Sequence, residues 1–93
     1  MNRTLYLVQC CSSSTQNILA KLKQIYSDHD HVVFLGESVA TLNQADLAPF
    51  SQRYCLETEQ VLLNPDLVST LTLLNYAQFA DLVLQFERCI SLK

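Results

Sequence analysis

Four short apolar runs punctuate this chain: Leu5-Tyr6-Leu7-Val8, Val32-Val33-Phe34-Leu35, Tyr54-Cys55-Leu56 and Leu71-Thr72-Leu73-Leu74. Continuous rather than alternating apolarity suits strands buried on both faces, the condition of a parallel sheet. Between the first two runs, Ile18, Leu19, Leu22, Ile25 and Tyr26 fall on one face of a helix. After the fourth, a last helix over residues 77–88 sets Phe79, Leu82, Val83 and Phe86 at spacings of 3, 4 and 7. Strand and helix thus alternate along the whole chain. The pattern predicts an α/β fold with a mainly parallel sheet of four to five strands and helices on both faces, a three-layer α/β/α arrangement.

The connections carry their own signals. Ser13 with Gln16 three residues on is a capping-box pattern at the start of the first helix. Asp28-His29-Asp30-His31 reads as a polar, solvated exit from it. Gly36, the only glycine, closes the second strand. Residues 37–42 read as a short helix, and residues 43–52, which include Pro49, as irregular or broken helix. Thr58 is placed to cap a helix of one to two turns, which Asn64-Pro65 stops.

With 93 residues, the expectation is one domain spanning 1–93. One Gly and two Pro argue against a turn-rich sandwich or barrel. A hydrophobic fraction of 49% excludes disorder. A charged fraction of only 16% in so small a chain implies that a partner covers some apolar surface, so a homodimer or higher homo-oligomer is expected when the chain is alone. Six Lys+Arg against nine Asp+Glu assemble no basic patch, which argues against direct nucleic-acid binding. No run approaches the roughly 18 apolar residues of a membrane span, and Met1-Asn2-Arg3-Thr4-Leu5 does not resemble a signal peptide. The expected compartment is the cytoplasm, with four reduced cysteines whose spacing has no CxxC or zinc pattern and calls for no cofactor.

In parallel α/β sheets, sites form past the carboxyl ends of the strands. That rule selects Gln9-Cys10-Cys11, Gly36-Glu37-Ser38, Glu57-Thr58 beside Cys55, and Asn75-Tyr76. Cys10 and Cys11 precede a helix N-terminus, whose dipole and free N–H groups favour thiolate. They read either as a carrier thiol for persulfide or phosphoryl, or as small residues in a turn. Cys55 reads as a weaker candidate thiol or as a packed core residue. Cys89 is assigned to the end of the last helix, where the dipole disfavours thiolate, and reads as packing. His29 and His31 flank Asp30 at the amino end of the second strand, the wrong edge for a site, and read as a solvated turn rather than metal ligands. Glu37, Glu57 and Glu59 read as ordinary loop and helix-start carboxylates. Tyr76, Phe79 and Phe86 form a core face first and a partner surface second.

The stretch Leu73-Leu74-Asn75-Tyr76-Ala77-Gln78-Phe79-Ala80-Asp81-Leu82 resembles the end of the DsrH/TusB family of sulfur-relay proteins, where a last strand enters a Tyr-x-x-Phe-x-x-Leu helix. Thr4 to Val8, Val32 to Leu42, and Arg53-Tyr54-Cys55-Leu56 with Thr58-Glu59-Gln60-Val61 resemble its earlier strands and turns in the same order. The chain departs from the family at Glu37-Ser38, where Asp/Asn-Gly is frequent, and at Asn64-Pro65, where Arg-Gly is frequent. The resemblance implies a DsrE-like fold and an accessory role beside DsrE-like and DsrF-like subunits (the TusD and TusC type). It implies work in passing persulfide sulfur toward 2-thiouridine at the tRNA wobble position, or in sulfur oxidation. The relay's catalytic cysteine belongs to the DsrE-like sibling, near the end of its third strand, and Cys55 lies close to that place. Tyr76, Phe79 and Leu82, the family signal, are then the interface candidates. Two further readings stand beside this one. Leu7-Val8-Gln9-Cys10-Cys11-Ser12-Ser13-Ser14 also resembles the cysteine loop of phosphotransferase-system IIB phosphoryl carriers, though without that loop's glycine. The other is an oligomeric scaffold with no chemistry.

Overall fold

The computed structural model describes residues 4–9, 12–27, 29–50, 52–63 and 65–92. Its centre is a five-stranded sheet of β1 (Thr4–Val8), β2 (His31–Phe34), β3 (Arg53–Leu56), β4 (Thr72–Leu74) and β5 (Arg88–Leu92). The strand order is β4-β3-β2-β1-β5, and every neighbouring pair is parallel. The α/β fold with a parallel sheet is therefore as the apolar runs predict, with a fifth strand that the runs do not mark.

Alternate residues of the strands feed two separate cores. Tyr6, Val8, Val32, Phe34 and Cys55 pack with Ile18, Leu19 and Leu22 of helix α1 (Thr15–Ile25) and with Leu47 of the short helix α2 (Gln44–Leu47). Leu5, Val33, Leu56 and Leu74 pack on the other face with Leu82 of helix α3 (Tyr76–Leu84) and with Phe86. The connections from β1 through β4 step across the sheet in one direction and keep to the first face. The connection from β4 to β5 runs back across the whole sheet, and right-handed crossovers then require the opposite face. That is where α3 lies. Each fully buried Leu, Val or Phe side chain contributes about 1.5–3 kcal/mol relative to exposure.

Several boundaries differ from expectation. The last helix stops at Leu84, and Phe86 is buried beyond it, on the turn into β5. Cys89 is thus on a strand, not at a helix end, and it is exposed. Its pairing explains the miss. Ile90 and Leu92 stand beside Tyr6 and Val8 and join the first core, while Cys89 and Ser91 stand beside Leu5 and Leu7 and remain exposed. An edge strand covered on one face alternates, so the search for continuous apolarity passes over it. Helix α1 begins at Thr15 with Ser14 at its N-cap and no side-chain cap bond, and Gln16 instead donates to Asp46 at 3.1 Å. Ile25 at its far end is exposed. Reciprocal capping boxes instead stand at Asn43/Asp46 on α2 and Asn75/Gln78 on α3. The segments Gly36–Thr41 and Glu57–Leu62 are 3-10 helices, and the second is entered from Leu56 without a Thr58 cap.

The amino edge of the sheet is more ordered than a solvated turn. Asp30 is buried and accepts the Thr4 N–H at 3.0 Å and the Ser27 N–H at 3.1 Å. His31 opens β2, stacks on Tyr54 and meets the Phe86 ring edge-on. Its Nδ1 lies 2.9 Å from the Tyr54 hydroxyl. Arg53 donates to the carbonyls of Leu47, Phe50 and Thr70 at 2.8–2.9 Å, which ties α2 and the Pro65–Thr70 segment to the start of β3. Among the described residues, no helix is long and apolar enough to cross a membrane.

Candidate functional site

Three strands end under one opening. Above the carboxyl ends of β1, β2 and β3 lies a cleft of about 330 Å³, lined by Gln9, Leu35, Gly36, Leu56, Glu59 and Phe79. It occupies the sheet edge that the parallel topology favours for ligands. Its floor is held by backbone bonds between strand ends. The Leu35 N–H donates to the Val8 carbonyl at 2.8 Å, and the Gln9 N–H to the Leu92 carbonyl at 2.9 Å. Ser38, fully buried, sets its hydroxyl 2.6 Å from the Leu35 carbonyl and 3.2 Å from that of Val8, so it seals the junction of β1 and β2.

The turn after β2 depends on Gly36, whose φ of +63° lies in the left-handed region. A Cβ there would meet nothing within 4 Å, so backbone conformation and not space requires the glycine. The turn leaves the Gly36 N–H pointing at the opposite wall, where the Glu59 carboxylate accepts it. Glu59 comes from the 3-10 segment after β3, and Phe79 comes from the first turns of α3. The cleft lining therefore combines a carboxylate, an aromatic ring and the apolar side chains of Leu35 and Leu56.

The sequence-selected residues separate on this frame. Cys10 and Cys11 lie outside the described residues. Cys55 is fully buried and faces the α1 side, while the cleft receives its neighbour Leu56. Its Sγ lies 3.4 Å from the Leu56 carbonyl oxygen. Burial, and then the nearby Glu59 charge, push its thiol up to about 11, away from the nucleophilic form. Of the Tyr-x-x-Phe-x-x-Leu signal, Leu82 is buried in the second core, Phe79 is half-buried in the cleft wall, and Tyr76 is 66% exposed. The helical spacing of these residues is thus shared between core, cleft and surface.

Glu59 is the residue that sequence reading undervalued. Its signal was available only in combination: a lone glycine closing one strand and a carboxylate just past the next. Their meeting depends on β2 and β3 being neighbours. Around the cleft, Glu37 follows Gly36 and Glu57 follows Leu56, both exposed. Among the described residues, no three His, Cys, Asp or Glu side chains gather as a metal site. The arrangement suits recognition, since an apolar slot with one fixed carboxylate can orient a ligand. No family model matches the chain, and no curated protein matches it.

Proposed function

We propose that the chain is an accessory subunit of a cytoplasmic sulfur-relay complex, acting with DsrE-like and DsrF-like partners in the transfer of persulfide sulfur, with 2-thiolation of the tRNA wobble uridine as its end. The reading rests on the DsrH/TusB resemblance along the chain. The observation that carries the accessory role is the state of Cys55. The described thiol nearest the carboxyl edge is buried and shifted against ionisation. Sulfur in transit needs an exposed thiolate, because the thiolate is the nucleophile that attacks the outer persulfide sulfur. Cys55 is then not a sulfur carrier, and the contribution proposed for the chain is surface. Val61 is 89% exposed and Leu84 is 83% exposed, on the 3-10 segment and on the helix that wall the cleft. Apolar side chains in such positions are suited to partner contact.

The test has two parts. Co-expression with DsrE-like and DsrF-like subunits should yield one complex through size-exclusion chromatography. Deleting the chain should lower 2-thiouridine in tRNA, read by nucleoside mass spectrometry, while Cys10→Ser with Cys11→Ser should lower it much less. A chain that elutes apart from both partners, and whose loss leaves thiouridine unchanged, refutes the proposal.

A further inference from the structure

We propose that the cleft over β1–β3 receives an arginine side chain from a partner protein, its guanidinium set between the Glu59 carboxylate and the Phe79 ring. The cleft and its charge environment carry this inference independently of the sulfur-relay reading. Apolar walls from Leu35, Leu56 and Phe79 suit the aliphatic stem of a long side chain. The carboxylate is pinned at the cleft wall by the Gly36 N–H. A carboxylate oxygen accepts more than one hydrogen bond, so Glu59 retains acceptor capacity for a donor entering the cleft. An aromatic ring and a carboxylate lining one apolar cleft suit a guanidinium by their chemistry. The planar cation stacks on the ring and donates its fork to the acid. At about 330 Å³ the space is at the small end for a cofactor-sized ligand and admits a side chain or two.

Charge complementarity sets the sign of the partner. Residues 32–52 and 54–87 contain no lysine or arginine. Among the described residues, Lys21 and Lys23 lie in the second half of α1, Arg53 opens β3 and Arg88 opens β5, and none of the four lines the cleft. At the carboxyl edge stand Glu37, Glu57 and Glu59. Among the described residues the carboxyl edge is thus acidic, whereas the amino edge mixes Arg53 and Arg88 with Asp30 and Glu87, and an anionic ligand would meet repulsion at the cleft. That the occupant belongs to a protein follows from the rim. Leu62 shares a 3-10 face with Glu59, and Tyr76 shares a helical face with Phe79. Both are exposed apolar side chains beside the cleft, and a polypeptide can cover them while one of its arginines enters.

The only glycine supplies a reporter, because its amide resonance falls in an uncrowded region of a ¹⁵N correlation spectrum. The labelled full chain is titrated with a blocked leucine-arginine-leucine tripeptide, and separately with its neutral citrulline isostere. The Gly36 amide should move with the arginine peptide and stay still with citrulline, and added salt should weaken the effect. Glu59→Gln, whose amide oxygen can still accept the Gly36 N–H, should weaken binding at least about tenfold. Phe79→Leu should weaken it about two- to fivefold, and Glu87→Gln at the amino edge should leave it unchanged. Equal shifts with both peptides, no Gly36 shift up to millimolar peptide, full affinity in Glu59→Gln or in Phe79→Leu, or an equal loss in Glu87→Gln would each overturn the proposal. Arginine binding by a chain that joins no sulfur-relay subunit would retire the relay reading and leave this one standing.

Discussion

Glu59 acts on Cys55: its carboxylate adds to burial in raising the thiol to about 11, while it also accepts the Gly36 N–H across the cleft. Burial is the larger cause of the rise, and a side chain that shapes the cleft adds to it. Thiol labelling checks this arrangement. Near neutral pH, Cys89 on the exposed edge of β5 should react with iodoacetamide in the native protein, and Cys55 only after unfolding. Peptide mass spectrometry that finds native Cys55 alkylated as fast as Cys89 would contradict the burial.

The same shift makes stability fall at alkaline pH. The Cys55 thiol ionises near its ordinary value of 9.0 when unfolded and near 11 when folded. Between those values the unfolded state binds fewer protons, so stability is full below about pH 9 and declines as pH rises through the folded value. The loss should be on the order of 2 kcal/mol. Tyr6, also raised by burial, acts in the same direction above its ordinary 10.0. Urea unfolding from near pH 8 to near pH 11 measures the decline, and Cys55→Ala should flatten it.

At the opposite edge, Asp30 gives one oxygen to Thr4 and the other to Ser27. Asp30→Asn keeps the shape but turns an amide N–H₂ toward one of those donors. The buried mismatch should cost about 1–3 kcal/mol in chemical denaturation. A variant as stable as the parent would mean that the carboxylate does not hold the start of β1 to the turn before β2.

Leu82 and Tyr76, six residues apart on α3, should respond in opposite ways. Leu82 is buried, so Leu82→Ala should lower stability by about 2–5 kcal/mol. Tyr76 is exposed, so Tyr76→Ala should change stability by no more than about 0.5 kcal/mol. It should instead weaken assembly with the proposed partners, measured by analytical ultracentrifugation. Normal assembly by folded Tyr76→Ala would remove that residue from the interface.

Local pattern was enough for the elements whose surroundings are uniform. Leu5 to Val8 and Val32 to Phe34 are strands buried on both faces, and their apolarity says so without reference to anything distant. The Ile18, Leu19 and Leu22 face of α1 likewise follows from helical period. The sequence alone therefore determined a parallel α/β sheet and the edge at which a site should form. What it left open depends on contacts between segments far apart in the chain. Strand β5 is recognised only beside β1, because half of its residues have no cover and its apolar pattern is weak. Asp30 reads as a surface acid until the Thr4 and Ser27 amides are brought to it. Leu82, Phe79 and Tyr76 lie on one helix, yet docking α3 at the sheet's carboxyl end sends them to core, cleft and surface. Glu59 becomes a cleft residue only because β3 pairs with β2 and delivers it to Gly36, a meeting across 23 residues of chain that no local propensity encodes.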